Sequence, residues 1–434
     1  MRSQIIIHSR AEKLHYEIRE IVQVAKQVEA LGQPIIWENI GDPVQKGEQI
    51  PAWIKQIVER AVRKDESYAY APTKGLEATR EFLAKRTNQR RKTKITKEDI
   101  VFFNGLGDAV GKIYGTLDPT IRVIGPTPAY STHSSAEAAH TGSPHLTYKL
   151  DPKNKWLPDL EDLEMKVRYN PTIGGILLIN PNNPTGTVYP KEYLQKIVTI
   201  AKKYDVFLIA DEIYESLSYA RKPFTPISDV IDGVCSISMK GISKEVPWPG
   251  SRCGWLEFYN TDRDPVFQKY VKAITDSKML EVSSTTLPQV VIPQILDDKR
   301  YKNSLVRRTA AYKNRAIKAV KILEKVKGVT VVQPEGAFYI TIVLDKKLLR
   351  DDQKLSIKNQ KIKRYIEERT RFPLALDKRF VYYLLAATGI CVVPLTGFET
   401  AETGFRATLL EPDVKKLETT FRTLAVAITE YLQS

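Results

Sequence analysis

The amine of Lys244 and the guanidinium of Arg252 stand eight residues apart in Ser243-Lys244-Glu245-Val246-Pro247-Trp248-Pro249-Gly250-Ser251-Arg252, with a Pro-Gly turn between them. A lysine amine can form a Schiff base with a carbonyl, and arginine offers a phosphate a fixed, forked set of donors. A turn that folds the two toward one small anion suits pyridoxal phosphate, which carries both an aldehyde and a phosphate.

Further segments agree in order along the chain. They are Asn180-Pro181-Asn182-Asn183-Pro184-Thr185-Gly186, then Leu208-Ile209-Ala210-Asp211-Glu212-Ile213-Tyr214, and Gly404-Phe405-Arg406 near the C-terminus. Together with the lysine segment, this set resembles the fold-type-I pyridoxal-phosphate enzymes, the aspartate-aminotransferase superfamily of class I/II. The resemblance spans nearly the whole chain. Tyr16-Glu17-Ile18-Arg19, Ile40-Gly41-Asp42-Pro43 and Gly241-Ile242-Ser243-Lys244 bring it nearest to the bacterial alanine aminotransferases.

The side chains can be assembled into a reaction. Lys244 would hold the cofactor aldehyde, release it to the substrate amine, and then shuttle a proton as a free amine. Asp211 would hold the pyridine nitrogen protonated, since a nearby buried carboxylate raises that nitrogen's pKa. Tyr214, with Asn183, would reach the ring hydroxyl. In Asn104-Gly105-Leu106-Gly107-Asp108, between a strand and a helix, backbone N–H groups of Leu106 and Gly107 can cup an anion. Ser243 and Arg252 would complete that cup.

The resemblance implies the remaining roles. Tyr130 matches the aromatic that stacks on the pyridine ring, and Tyr70 the tyrosine that reaches the phosphate of a neighbouring subunit, which implies a homodimer with shared sites. Arg406 matches the arginine that holds the substrate α-carboxylate, where the Cα–H bond stands perpendicular to the ring plane. Gly41 joins the substrate site, and Arg19 matches the N-terminal arginine that would receive a second carboxylate. The expected reaction moves an amino group between an L-amino acid of alanine or glutamate type and a 2-oxo acid such as 2-oxoglutarate. A β-eliminating C–S lyase uses the same residue set and is the alternative; a DNA-binding regulator is disfavoured because one helix precedes Gly41.

Composition bounds the rest. The 434 residues are 42% hydrophobic, with no apolar run long enough to span a membrane, so a soluble protein is expected. Cys235, Cys253 and Cys391 form no Cys-x-x-Cys pair, which points to a reducing cytoplasm without disulfides. All five histidines lie at or before His145 without ligand spacing, so no metal is expected. The net charge of +15 is spread over amphipathic helical segments with no nucleic-acid motif, so no nucleic-acid partner is expected.

The elements that must position these residues follow from periodicity. Helices are predicted over residues 12–31, 51–63 and up to Arg86, and strands over 100–103, 121–124, 175–179 and 206–210. Strands separated by helices argue for an α/β fold with a mainly parallel, seven-stranded sheet covered on both faces. Asn183, Asp211 and Lys244 then fall just past strand ends, where such sheets bind ligands. Residues 46–297 are expected to form the large domain, and 1–45 with 298–434 a smaller α+β domain with antiparallel strands near 329–332 and 337–340. Residues 345–379 carry 12 Lys/Arg against 6 Asp/Glu. The apolar spacing of Leu355, Ile357, Ile362 and Ile366 predicts a helical basic insertion over 354–371.

Overall fold

The computed structural model describes residues 17–90 and 93–434. Its main sheet runs in chain order through β1 (Ile100–Phe103), β2 (Arg122–Thr127), β3 (Thr147–Asp151), β4 (Leu157–Pro158), β5 (Ile173–Ile179), β6 (Phe207–Asp211), β7 (Ser236–Gly241) and β8 (Gly254–Tyr259). The spatial order is β1-β8-β7-β6-β5-β2-β3-β4. Pairings from β7 to β3 are parallel. β8 is antiparallel to both of its neighbours, and β4 is antiparallel to β3.

The sheet thus holds eight strands rather than the seven expected from sequence. The eighth, β4, is two residues long and ends in Pro158, which has no N–H to donate and so sits at an edge. The central strands bury nearly every side chain on both faces. That is why they read as apolar runs rather than alternations. Helices such as Leu106–Gly115 and Lys191–Lys203 supply the covering layers from one buried stripe each.

A second core gathers around an antiparallel sheet of β9 (Val329–Val331), β10 (Tyr339–Leu344), β11 (Val393–Pro394) and β12 (Gly404–Thr408), ordered β9-β10-β12-β11. The helix Glu17–Ala30 packs into this core through Ile21, Val24 and Val28. Ile36–Trp37 then pairs in parallel with Ile390–Cys391 and leads residues 38–48 toward the C-terminal ends of the main strands. The 25-residue helix Lys299–Leu323 joins the two cores.

The basic segment departs from its prediction. Within the predicted helix 354–371, only Gln360–Arg369 is α-helical, capped by Asn359, whose side chain accepts from the N–H groups of Lys361 and Ile362. Leu355 and Ile357 are buried two residues apart on chain outside any helix or strand, a spacing that does not make one helical stripe.

Candidate active site

Three consecutive parallel strands deliver the chemistry. β5 ends at Ile179 and runs into Asn183, β6 ends on Asp211, and β7 ends at Gly241, from which the one-turn helix Ile242–Glu245 lifts Lys244. Their C-terminal ends open on a cavity of about 320 Å³. Lys244, Asp211, Tyr214, Asn183, Ser243 and Arg252 all line it, as do Leu106, Gly107, Tyr130, Gly41 and Arg406.

Lys244 donates from Nζ to the carbonyl of Gly41 at 2.7 Å. Burial lowers its pKa to about 8; Asp42 works against that shift, and Arg406 and Arg252 add to it. Asp211 is 5% exposed; His133 Nε2 lies 3.2 Å from its Oδ2, and the N–H of Ile213 donates to its Oδ1. His133 stands three residues after Tyr130 on the helix Ser131–Thr141, so the spacing to a site aromatic could have flagged it. Glu212, next to Asp211, points the other way. It accepts from the N–H of Ile227 and the hydroxyl of Ser238, and burial raises its pKa to about 7.

Where the anion cup was expected, a helix start and Arg252 lie side by side. The helix Leu106–Gly115 begins after Gly105 at φ 82°, and its first N–H groups have no intrahelical acceptor. A Cβ at Gly105 would sit 2.5 Å from Arg252 Nη2, so glycine lets the guanidinium lie against the helix start. Arg252 is itself left-handed, at φ 48°, an uncommon conformation for a residue with a Cβ, and one that aims its side chain here. Lys278, fully buried, braces the cup from behind through Asp108 at 2.9 Å and through Glu281.

Arg406 is 2% exposed. It donates to the carbonyl of Asn39 at 2.6 Å and to Asn183 Oδ1 at 3.3 Å, while its buried Nε has no hydrogen-bond partner. A buried guanidinium with a donor to spare fits an incoming carboxylate. The segment 38–48 carries Asn39, Gly41, Asp42 and Gln45 along the same cavity. It is anchored at Glu38, which receives Lys46 and Thr408.

Two expected site residues stand apart. Tyr70 is 83% exposed and does not line this cavity. Arg19 falls in the first turn of the helix Glu17–Ala30, and its side chain lies outside the described part of the structure. Tyr339, Asp42 and Asn39 were missed as site residues. Tyr339 reads as one residue of an apolar strand, and the other two lie in a segment without periodicity.

A lysine, a buried carboxylate, a helix N-terminus with a forked cation and a second arginine around one cavity define a phosphate-anchored, Schiff-base-forming α/β enzyme. The family described as "Aminotransferase class I and II" matches residues 35–420, and the chain belongs to it. An uncharacterised aminotransferase of Methanocaldococcus jannaschii is 54% identical over 429 residues, covering 99% of each chain. The glutamate-pyruvate aminotransferase of Escherichia coli is 27% identical over 351 residues, covering 80% of this chain and 85% of its own. Among solved structures, an alanine aminotransferase from Pyrococcus furiosus superposes with a TM-score of 0.85 at 26% identity, over 98% of this chain and 100% of the other. The protein is a transaminase of fold type I with pyridoxal 5'-phosphate as cofactor. The residues present fit that group: an open helix start beside Arg252, a buried carboxylate at Asp211 and the amine of Lys244.

Proposed function

We propose that the chain moves an amino group between a small L-amino acid of the alanine or glutamate type and a 2-oxo acid such as 2-oxoglutarate, as a homodimer with shared sites. The observation that carries the reading is the convergence of Lys244, Asp211 and Arg406 on one cavity. Bound there, pyridoxal phosphate supplies the carbonyl and the electron-accepting ring. Leu106, Gly107, Ser243 and Arg252 hold the phosphate. Asp211, steadied by His133, would keep a proton at the ring nitrogen, Tyr130 would back the ring face, and Tyr214 and Asn183 would contact the ring oxygen. Arg406 would grip the α-carboxylate and so fix the orientation of the substrate Cα–H bond. Lys244 Nζ, facing the same cavity, would be the base that takes and returns that proton.

A cavity of about 320 Å³ lies at the small end of ligand sites, roughly 300–1,000 Å³, which favours compact substrates. Among the described residues that line it, the cations are Lys244, Arg252 and Arg406, and each has a role. Glutamate brings a second carboxylate that needs another cation, and Arg19 is the one we assign. The likeness to an alanine aminotransferase and a glutamate-pyruvate aminotransferase supports the same pair.

We also infer that residues 46–297 form the cofactor-binding domain and that 1–45 with 298–434 form the smaller one. Arg19→Ala tests the substrate assignment in a panel of amino donors and 2-oxo acids. KM for glutamate and 2-oxoglutarate should rise about tenfold or more, the worth of a charge-assisted contact, with alanine little changed. An equal effect on both substrates, or none, would remove Arg19 from the site.

A further inference from the structure

Tyr339 opens β10, and Thr341, two residues on, stands opposite Arg406 on β12. Side chains two apart on a strand share a face, so Tyr339 and Arg406 are diagonal neighbours facing the cavity. The Arg406 guanidinium lies 4.6 Å from the Tyr339 ring centroid, inside cation–π range, with Phe398 at 5.3 Å. The far end of the same side chain meets Tyr214: the two hydroxyls are 3.0 Å apart and the rings cross edge to face at 5.9 Å and 83°. Gly41 makes room for this arrangement, since a Cβ there would stand 2.3 Å from the Tyr339 hydroxyl. Tyr339 is 3% exposed, so neither contact is incidental to a mobile side chain.

A phenol has one proton to donate and lone pairs to accept. If Tyr214 donates to the cofactor's ring oxygen, the proton between the two phenols must come from Tyr339. Hydrogen bonds in such a chain polarise one another, so Tyr214 becomes the stronger donor.

We propose that Tyr339 is a positioning residue with two functions: its hydroxyl donates to Tyr214 and aims that phenol's proton at the cofactor ring oxygen, and its ring face backs Arg406 in the orientation that receives the substrate carboxylate. The inference rests on the roles assigned above to Tyr214 and Arg406. Burial holds the Tyr214 pKa well above its ordinary value, so the donor stays protonated at neutral pH even with Tyr339 donating to it.

The test uses the holoenzyme and two readouts other than turnover. Absorbance of the lysine-bound cofactor, titrated with pH, reports when the lysine–cofactor linkage loses its proton. Titration with propionate, a carboxylate without an amine, reports Arg406. A hydrogen bond donated to the ring oxygen competes with that oxygen's hold on the linkage proton, so weakening the donor raises the linkage pKa. Tyr339→Phe should raise it by about half to one unit and leave propionate affinity within about twofold. Tyr339→Leu should add a loss of propionate affinity of about three- to tenfold. An unmoved linkage pKa in Tyr339→Phe, where Tyr214→Phe does move it, overturns the hydroxyl's role. Equal propionate affinity in the Phe and Leu variants overturns the ring's role. An unmoved pKa in Tyr214→Phe instead overturns the assignment of Tyr214 itself.

Discussion

At the scale of single residues, the amine of Lys244 is set where carrying a charge is costly. Burial is the largest cause, Asp42 opposes it, and Arg406 and Arg252 reinforce it, which leaves the pKa at about 8 against an ordinary 10.5. The neutral amine is the form that attacks a carbonyl, and its fraction grows as pH rises through the pKa. Cofactor-free enzyme should therefore capture pyridoxal phosphate faster as pH rises, levelling off above about pH 8, in stopped-flow absorbance. A midpoint near the ordinary lysine value would contradict the buried setting. Asp42→Asn should move the midpoint lower still, because Asp42 favours the charged form. Lys244→Ala should lose the covalent absorbance band and turnover yet still bind cofactor, since the cup and Asp211 are supplied by other elements.

At the scale of elements, what holds Lys244 is a contact between distant parts of the chain. Arg308, on the helix Lys299–Leu323, donates to the carbonyls of Lys244 at 2.9 Å and Glu245 at 2.5 Å. It also pairs with Glu48, which receives the Tyr312 hydroxyl. One buried guanidinium thus fixes the lysine turn, the segment 38–48 and the long helix together. Arg308→Ala should destabilise the protein by about 3–5 kcal/mol, as breaking one side of a buried ion pair does, read as a lower denaturation midpoint. It should also depress kcat more than KM, because Lys244 loses its backbone anchor while Arg406 is untouched.

No local pattern announces Arg308. It lies 64 residues from Lys244 in sequence, on a helix rich in arginine, and only packing singles it out. Lys278 is similar: a lysine between Asp276-Ser277 and the exposed Met279-Leu280, yet fully buried behind Asp108. By contrast the strands at 100–103, 175–179 and 206–210 were legible, because burial on both faces writes apolar runs into the sequence. So was the position of Arg252 after the Pro-Gly turn, because forked donors restrict the residue type, whereas Gly105 and Gly107 taken alone are as compatible with a plain turn. The helix predicted over 354–371 held through Gln360–Arg369, with Ile362 and Ile366 buried, and failed only before it, because two apolar residues spaced by two satisfy a short helical pattern and an irregular one alike.

At the scale of the whole molecule, the chain exposes an apolar surface that the main cavity does not use. Tyr68, Tyr70, Met279, Leu280 and Val282 are all more than half exposed. Two hydrogen bonds join their segments: Thr73 to the carbonyl of Val282, and Thr286 to that of Ala69. In the homodimer proposed above a second copy of the chain would cover this surface and bring Tyr70 to a phosphate, since Tyr70 lies away from its own cavity. In a twofold dimer each site would then combine Lys244 of one chain with Tyr70 of the other. Lys244→Ala removes the amine from its own site only, and Tyr70→Phe removes the hydroxyl from the neighbour's site only. Unfolded together and reassembled at equal concentrations, the two variants should form mixed dimers as about half of the population, each with one intact site. Activity should then approach roughly a quarter of wild type, above the mean of the separately reassembled parents. Mixed dimers proven by differential tagging, with activity no higher than that mean, would show that Tyr70 does not serve a shared site.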